Sequence, residues 1–151
     1  SFNRCFSFKQ KSEEMKLSEN FTKEEFEHSN TAVGNHIENK MTEDLERNAI
    51  ALCFNVLQPL RDEFGTIVIS SGYRCPELNK AVGGEKNSQH MKAEAADIIA
   101  KEANLMDIFR YIVKELDFDQ CFLETNKNGR QWIHVSYSRN GNRRFYGRIN
   151  A

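Results

Sequence analysis

Ser88-Gln89-His90-Met91-Lys92-Ala93-Glu94-Ala95-Ala96-Asp97 is a polar loop that leads into an apolar strand, and it ends on a carboxylate. It has a counterpart far downstream in Trp132-Ile133-His134-Val135-Ser136, a second segment with the composition of a strand. Two imidazoles and a carboxylate can hold Zn²⁺ and leave a fourth coordination position open. The two segments therefore indicate strands that present a candidate metal site made of His90, Asp97 and His134.

The composition is that of an ordinary soluble globular chain. The 151 residues fit one domain with a sizeable core, and 28% of them are charged while 39% are apolar. The formal net charge of -1 favours neither a nucleic-acid partner nor an anionic membrane. No apolar run approaches transmembrane length. We therefore expect no nucleic-acid partner and no membrane span. We also expect a monomer, although nothing in the composition bears on oligomeric state.

The N-terminal residues differ from the rest of the chain. Residues 1–16 show no clear period, so we interpret them as a tail before a domain at 17–151. They contain no signal-peptide h-region. Because the chain does not begin with Met, this absence does not decide where the protein acts.

The cysteines argue against a cysteine-rich structural zinc site, because no two of them form a C-x-x-C pair. Free thiols are common in apolar helices and strands. We expect all four to be free, with one disulfide left open as the alternative. They are Cys5, Cys53, Cys75 and Cys121.

The predicted elements run from helices to strands. Thr22 and Glu25 form a capping-box pattern that starts a short helix, and 30–40 is polar and loop-like. Apolar residues at helical spacing predict long helices over 43–63, where Pro59 bends the last turns, and over 103–116. A short helix is predicted at 76–82, and strands at 66–70, 95–100, 119–124 and 132–137, with a turn at Asn140-Gly141 into Phe145-Tyr146. This order indicates an α+β fold with helices packed on a mainly antiparallel sheet.

Three short motifs are spread over the chain. The pattern S-x-H-x-x-G-x-A-x-D is matched by Ser88, His90, Ala95 and Asp97, and W-x-H by Trp132 and His134. The pattern S-G-Y-R, followed by a Pro-containing helix with Leu-Asn, is matched from Ser71 to Asn79. Together they resemble the M15 family of zinc peptidases, the D-Ala-D-Ala carboxypeptidase and endolysin group, and particularly its M15A-like branch. The resemblance runs from Leu17 to Tyr137.

The resemblance implies a hedgehog/DD-peptidase-like fold and hydrolysis of a peptide bond in the peptidoglycan stem, by a carboxypeptidase or an endopeptidase. It implies that His90, Asp97 and His134 are the Zn²⁺ ligands. It also implies that Arg74 binds a substrate carboxylate in bidentate fashion. Ser88 either contacts substrate near the metal or caps its loop. Such a protein is expected in the periplasmic or extracellular cell-wall space, or delivered there by a phage.

The catalytic base is where the chain departs from part of the family. A zinc peptidase needs a carboxylate to take a proton from the attacking water. Several branches place a Glu three residues before the last histidine ligand, and here that residue is Gln131. The branch that the chain most resembles has a Glu at the end of the preceding strand, where Glu124 stands. Glu124 is therefore the candidate base, and an exposed strand-end carboxylate is the alternative.

Two further residues leave alternatives open. Ala93 stands where the family usually has Gly, so the loop either takes a negative φ or carries strain of about 1–2 kcal/mol. Asp119 either orients a ligand histidine or caps a turn. Gln131 and Ala93 also support a different class of function, namely a non-catalytic module that binds the cell wall or belongs to a phage tail.

Overall fold

The structure is a computed structural model that describes residues 15–150. The strands are β1 Lys16–Ser18, β2 Phe21–Thr22, β3 Ile67–Ser71, β4 Ala95–Ala100, β5 Gln120–Thr125, β6 Gln131–Ser136 and β7 Phe145–Asn150. The helices are α1 Lys23–Glu27, α2 Asn30–Gly34, α3 Glu43–Leu52, α4 Gln58–Phe64, α5 Pro76–Ala81 and α6 Leu105–Glu115. The predicted tail, 1–16, lies outside the described residues except for its last two, and Lys16 already belongs to β1.

The five long strands form one sheet in the order β3-β4-β6-β5-β7. Every neighbouring pair is antiparallel except β5 and β7, which are parallel. The predicted α+β class with a mainly antiparallel sheet is therefore confirmed. β1 and β2 form a separate two-stranded sheet, which the sequence did not indicate.

The two faces of the sheet have different environments, because side chains alternate along a strand. One face packs against the helices, with α6 contacting β5 and β6 and α4 contacting β3. Its side chains are buried; they include Ala96, Ile98, Cys121, Leu123, Ile133 and Val135. The other face, which we call the site face, carries Asp97, His134, Phe122 and Glu124.

The predicted long helix over 43–63 is continuous but changes its winding. α3 passes into a five-residue π turn, Cys53–Leu57, and then into α4. The turn ends at Leu57, two residues before Pro59, which has no N–H to donate and cannot continue a regular α-helical ladder. Pro59 thus alters the winding of the helix before it. The turns that follow Pro59 continue as α-helix to Phe64.

Two local predictions were wrong. Part of the 30–40 segment, predicted as loop, is helix α2, which begins after Ser29 because the Ser29 hydroxyl accepts from the Ala32 N–H. Phe145-Tyr146 was predicted to follow a simple turn after the preceding strand. Instead the chain passes beyond β6 and adds β7 in parallel to β5, where the Phe145 N–H donates to the Asp119 carbonyl oxygen at 2.9 Å.

The cysteine prediction is confirmed where the structure describes it. Cys53, Cys75 and Cys121 are free, and Cys5 lies outside the described residues. Burial raises the pKa of the Cys121 thiol to about 12 and raises the pKa of Cys53 further, so both behave as apolar core residues. Among the described residues, no helix has the length and apolar character needed to cross a membrane.

Candidate metal centre and cleft

The three predicted metal ligands lie together on the site face. Asp97 of β4 is directly opposite His134 of β6 in the ladder. Asp97 Oδ1 is 3.0 Å from His134 Nδ1 and 3.4 Å from His90 Nε2. One ligand atom from each residue lies within 4.8 Å of the other two. The group can therefore hold a metal ion.

The chemistry of this donor set suits zinc. Two imidazole nitrogens and one carboxylate oxygen are ligands that Zn²⁺ takes at about 2.0–2.2 Å. Two ligand atoms of a tetrahedral site with such bonds are separated by about 3.4 Å. The separations from Asp97 to the two histidines are close to that value, so the residues fit the ion that the resemblance implies.

His90 is positioned by a short turn and by a carbonyl group. It lies in a 3₁₀ turn, Gln89–Lys92, which is capped by the Ser88 hydroxyl; this oxygen accepts from the His90 N–H at 3.2 Å. The buried imidazole donates from Nδ1 to the Gly72 carbonyl oxygen at 2.7 Å. Such a bond fixes the tautomer and leaves Nε2 free to bind a metal.

Ala93 ends this turn in the left-handed conformation, with φ 55° and ψ 29°. Its N–H donates to the His90 carbonyl oxygen, and the Glu94 N–H donates to the Gln89 carbonyl oxygen. Of the two alternatives for Ala93, the structure therefore shows the strained one, which costs about 1–2 kcal/mol relative to Gly. Its methyl group is fully buried, and about 0.8 kcal/mol of apolar burial offsets part of that cost.

Asp97 is kept ionised by its neighbours. Burial alone would raise the pKa of this carboxyl group, but hydrogen bonds from His134 and His90 outweigh burial and lower the pKa well below its usual range. His134 in turn stacks on the Phe122 ring at 6.3 Å. The candidate metal site thus has a charged carboxylate between two imidazoles and an apolar ring on the β5 side.

His90, Asp97 and His134, which we call the metal group, open into a cleft of about 480 Å³. All the remaining predicted site residues line it, namely Arg74, Ser88 and Glu124. Arg74 is partly held by Asn79, whose Oδ1 accepts from its Nη1 at 3.2 Å, while its buried Nε has no hydrogen-bond partner among the described residues. Burial lowers the pKa of the Arg74 guanidinium, and Asp97 and Glu124 oppose that shift. Arg74 is therefore a cation whose Nε–H is available to donate a hydrogen bond.

The ladder between β5 and β6 separates the two positions considered for the base. Glu124 lies two residues from Phe122, the residue opposite His134, so Glu124 is on the site face. Gln131 lies three residues from His134 along β6, so alternation turns it to the other face, where its Nε2 donates to Thr125 Oγ1. A carboxylate at 131 would not face the metal group in this sheet.

The Asp119 carboxylate makes no hydrogen bond to His90 or His134 among the described residues. It accepts from the backbone N–H and the guanidinium of Arg143, the latter at 2.7 Å from Nη2, and from the Gln89 side chain. The structure therefore does not show Asp119 orienting a histidine; its carboxylate instead fixes the segment just before β7 through Arg143. Arg143 and Gln89 line the cleft, and so does Ile149 of β7. Their place in the cleft could not be predicted, because no motif marks them and β7 was not expected beside β5.

The comparison with protein families agrees with this geometry. The model of the family described as Peptidase M15 matches residues 19–136, which is more than half of the chain and includes His90, Asp97 and His134. No curated protein matches the chain. The resemblance inferred from the three motifs is confirmed, and the chain belongs to the peptidase M15 family.

Proposed function

We propose that this protein is a zinc-dependent peptidase that cleaves a peptide bond of the peptidoglycan stem peptide. The observation that carries the proposal is the convergence of His90, Asp97 and His134 in one cleft. The same cleft contains the Arg74 guanidinium and the Glu124 carboxylate. This set provides metal ligands, a binding group for an anionic substrate and a base. Those are the parts that hydrolysis of a peptide with a terminal carboxylate needs.

His90, Asp97 and His134 would hold the zinc ion. When bound in such a site, zinc lowers the pKa of water to about 7 and polarises a carbonyl group. Glu124 would take the proton of the attacking water on a carboxylate oxygen and pass it to the nitrogen of the leaving amine. Phe122 beside His134 keeps one wall of the cleft apolar, which strengthens these electrostatic interactions by excluding water.

Arg74 is the candidate binding residue for the substrate carboxylate. Its unpartnered Nε and its Nη groups can form a two-pronged contact with a carboxylate. Ser88 uses its oxygen as the acceptor for the His90 N–H, and its hydroxyl hydrogen remains available for a substrate oxygen in the same cleft. If Arg74 binds the terminal carboxylate of the substrate, the enzyme is a carboxypeptidase. If the substrate chain continues past Arg74, the enzyme is an endopeptidase.

The alternative, a non-catalytic module that binds the cell wall or belongs to a phage tail, depended on Gln131 and Ala93. Gln131 lies on the face of β6 away from the metal group, and Ala93 leaves the 3₁₀ turn intact. Neither departure removes a ligand or the candidate base, so we favour the enzyme. For the same substrate we propose action in the periplasmic or extracellular cell-wall space, or delivery there by a phage.

The test is hydrolysis of purified muropeptides by the zinc-loaded protein, by the protein treated with a chelator, and by the chelated protein after zinc is restored. We expect cleavage in the first and third samples and none in the second, with products read by mass spectrometry. Intact muropeptides at saturating zinc would refute the enzyme and leave the binding module.

A further inference from the structure

We propose that β7 forms a binding subsite for a residue of the substrate peptide with a small apolar side chain, such as alanine, at the edge of the cleft beyond Glu124. The inference rests on the proposed function. It concerns a strand that lies outside the residues 19–136 matched by the family model. The subsite would bind a part of the peptide some residues away from the bond that is cleaved.

The register of the sheet places β7 on the same surface as the metal group. Phe122 is opposite both His134 on β6 and Gly147 on β7, and Glu124 is opposite Ile149. Paired residues of neighbouring strands point to one face. Asp97, His134, Phe122 and Gly147 therefore lie in one row across the site face.

This end of the row has the shape of an apolar slot. Phe145 and Ile149 flank Gly147 on the site face and are 54% and 44% exposed. A Cβ atom at Gly147 would have no heavy atom within 4 Å, so the space above the strand is open. Ile149 also lines the cleft that contains His90, Asp97 and His134. Two exposed apolar side chains and an open floor between them fit a small apolar group.

A polar group beside the slot also lacks a partner. Gln89 lines the cleft, and its Oε1 is buried without a hydrogen-bond partner among the described residues. Its side chain bonds to Asp119, which is paired with Arg143, and the Arg143 guanidinium lies 5.1 Å from the centre of the Phe145 ring. This network fixes an acceptor next to the apolar slot. A buried acceptor without a donor is costly, and a backbone N–H of the bound peptide would satisfy it.

The length of the row agrees with a peptide substrate. Asp97 on β4 and Gly147 on β7 are three strand spacings apart, which is about 14 Å. An extended peptide advances about 3.3–3.6 Å per residue, so about four residues span that distance. The metal group and the β7 slot can therefore contact the same stem peptide at different residues.

Gly147→Trp tests the slot by filling it. The binding partner is a synthetic stem pentapeptide ending in D-Ala-D-Ala, titrated by calorimetry into the zinc-loaded Glu124→Gln protein with and without the second change. We expect Gly147→Trp to weaken binding at least about tenfold and Ile149→Ala to weaken it by a similar factor. The matched control is Arg148→Trp, which puts the same bulk on the neighbouring residue of the opposite face and should leave the Kd unchanged.

A second measurement compares kcat/KM of otherwise wild-type enzyme on the pentapeptide and on the shortest fragment of it that is still cleaved. Gly147→Trp and Ile149→Ala should each lower the ratio of kcat/KM on the pentapeptide to kcat/KM on the fragment about tenfold. If the wild type cleaves the peptide and neither variant changes Kd or this ratio, the subsite is wrong and the proposed function stands. Binding that depends on β7 without any cleavage by the wild type would refute hydrolysis and retain the subsite. Absence of both binding and cleavage would refute both.

Discussion

His90 donates its Nδ1 hydrogen to the carbonyl oxygen of Gly72 at 2.7 Å. A carbonyl oxygen can only accept, so Nδ1 carries a proton and Nε2 is the ring nitrogen that faces Asp97. A Cβ at Gly72 would collide with the backbone of Phe26, and the neighbouring Tyr73 N–H donates to the Phe26 carbonyl oxygen. The orientation of the candidate metal ligand His90 thus depends on close contact between the end of β3 and helix α1.

Gly72→Ala should therefore damage both the fold and the metal site. The new methyl group would push the β3 end away from α1 and displace the carbonyl that orients His90. We expect a loss of about 1–3 kcal/mol in the free energy of unfolding and zinc binding weakened by about 10–100-fold. Urea unfolding and zinc titration measure the two effects.

The control for that variant is Gly34→Ala at the end of α2, where a Cβ has no heavy atom within 4 Å. It should leave zinc affinity unchanged and raise stability by at most about 1 kcal/mol. Wild-type stability and zinc affinity in Gly72→Ala would show that the close approach to α1 is not needed.

Asp97→Ala and His134→Ala should each abolish stoichiometric zinc. Each removes one of three donors, and the remaining two cannot form a stable tetrahedral site with protein ligands. Metal content after dialysis, measured by plasma mass spectrometry, should fall from one zinc ion per chain to near zero. His28→Ala removes an exposed histidine outside the group and should keep its zinc. Full occupancy in the first two variants would show that the ligands are other residues.

Glu124→Gln should keep zinc and lose about 10²–10⁴-fold in kcat, because the amide cannot accept the proton. Adding Gln131→Glu to this variant should not restore activity, since position 131 points to the opposite face of β6. The rates of muropeptide cleavage and the zinc contents are compared among the wild type, Glu124→Gln and the double variant. Recovery in the double variant would move the base to position 131.

The proximity of His90, Asp97 and His134 could be predicted because short motifs mark them and because strand alternation is local. β4 was predicted with its observed ends, Ala95 and Ala100. The position of β7 could not be predicted. The Asn140-Gly141 turn is a local signal, whereas the pairing of β7 with β5 depends on contacts between residues far apart in sequence. One of these is the Asp119 carboxylate, which accepts from the Arg143 N–H just before β7 begins.

The conformation at Ala93 shows a different limit. A Gly at this position would have indicated positive φ from sequence alone, but Ala is compatible with either sign. The hydrogen bonds to the Gln89 and His90 carbonyl oxygens decide it, and they exist only once the 3₁₀ turn has formed. Similarly, Gln131 departs from some branches of the family, and it lay outside the predicted strand 132–137; because β6 begins at Gln131, alternation from His134 turns it to the other face.

Arg74→Ala should separate carboxypeptidase from endopeptidase action. If Arg74 binds a terminal carboxylate, its removal should lower kcat/KM about tenfold to a hundredfold on stem peptides with a free C-terminus and much less on amidated ones. Arg74→Lys keeps the charge but loses the planar fork, so it should recover only part of the activity. Equal losses on free and amidated peptides would assign Arg74 to holding its loop through Asn79 instead.

The stability of the fold should depend on pH through the ion pair between Asp119 and Arg143. Hydrogen bonds from Arg143 hold the pKa of the Asp119 carboxyl group below its usual range, although burial opposes them. A folded-state pKa below the unfolded value of about 3.9 adds stability above that pH, and the contribution is lost as the pH falls towards the folded value. Asp119→Asn should therefore cost about 1–2 kcal/mol at pH 7 and progressively less below about pH 4.

Urea unfolding at pH 7, 5 and 3 checks this, and each variant is compared with wild type at the same pH so that metal release affects both. Asp44→Asn is the matched control, because Asp44 and Arg47 are also 2.7 Å apart but both are exposed. It should cost no more than about 0.5 kcal/mol at any pH. If Asp119→Asn costs as much at pH 3 as at pH 7, the carboxylate stabilises the start of β7 by its shape and hydrogen bonds rather than by its charge.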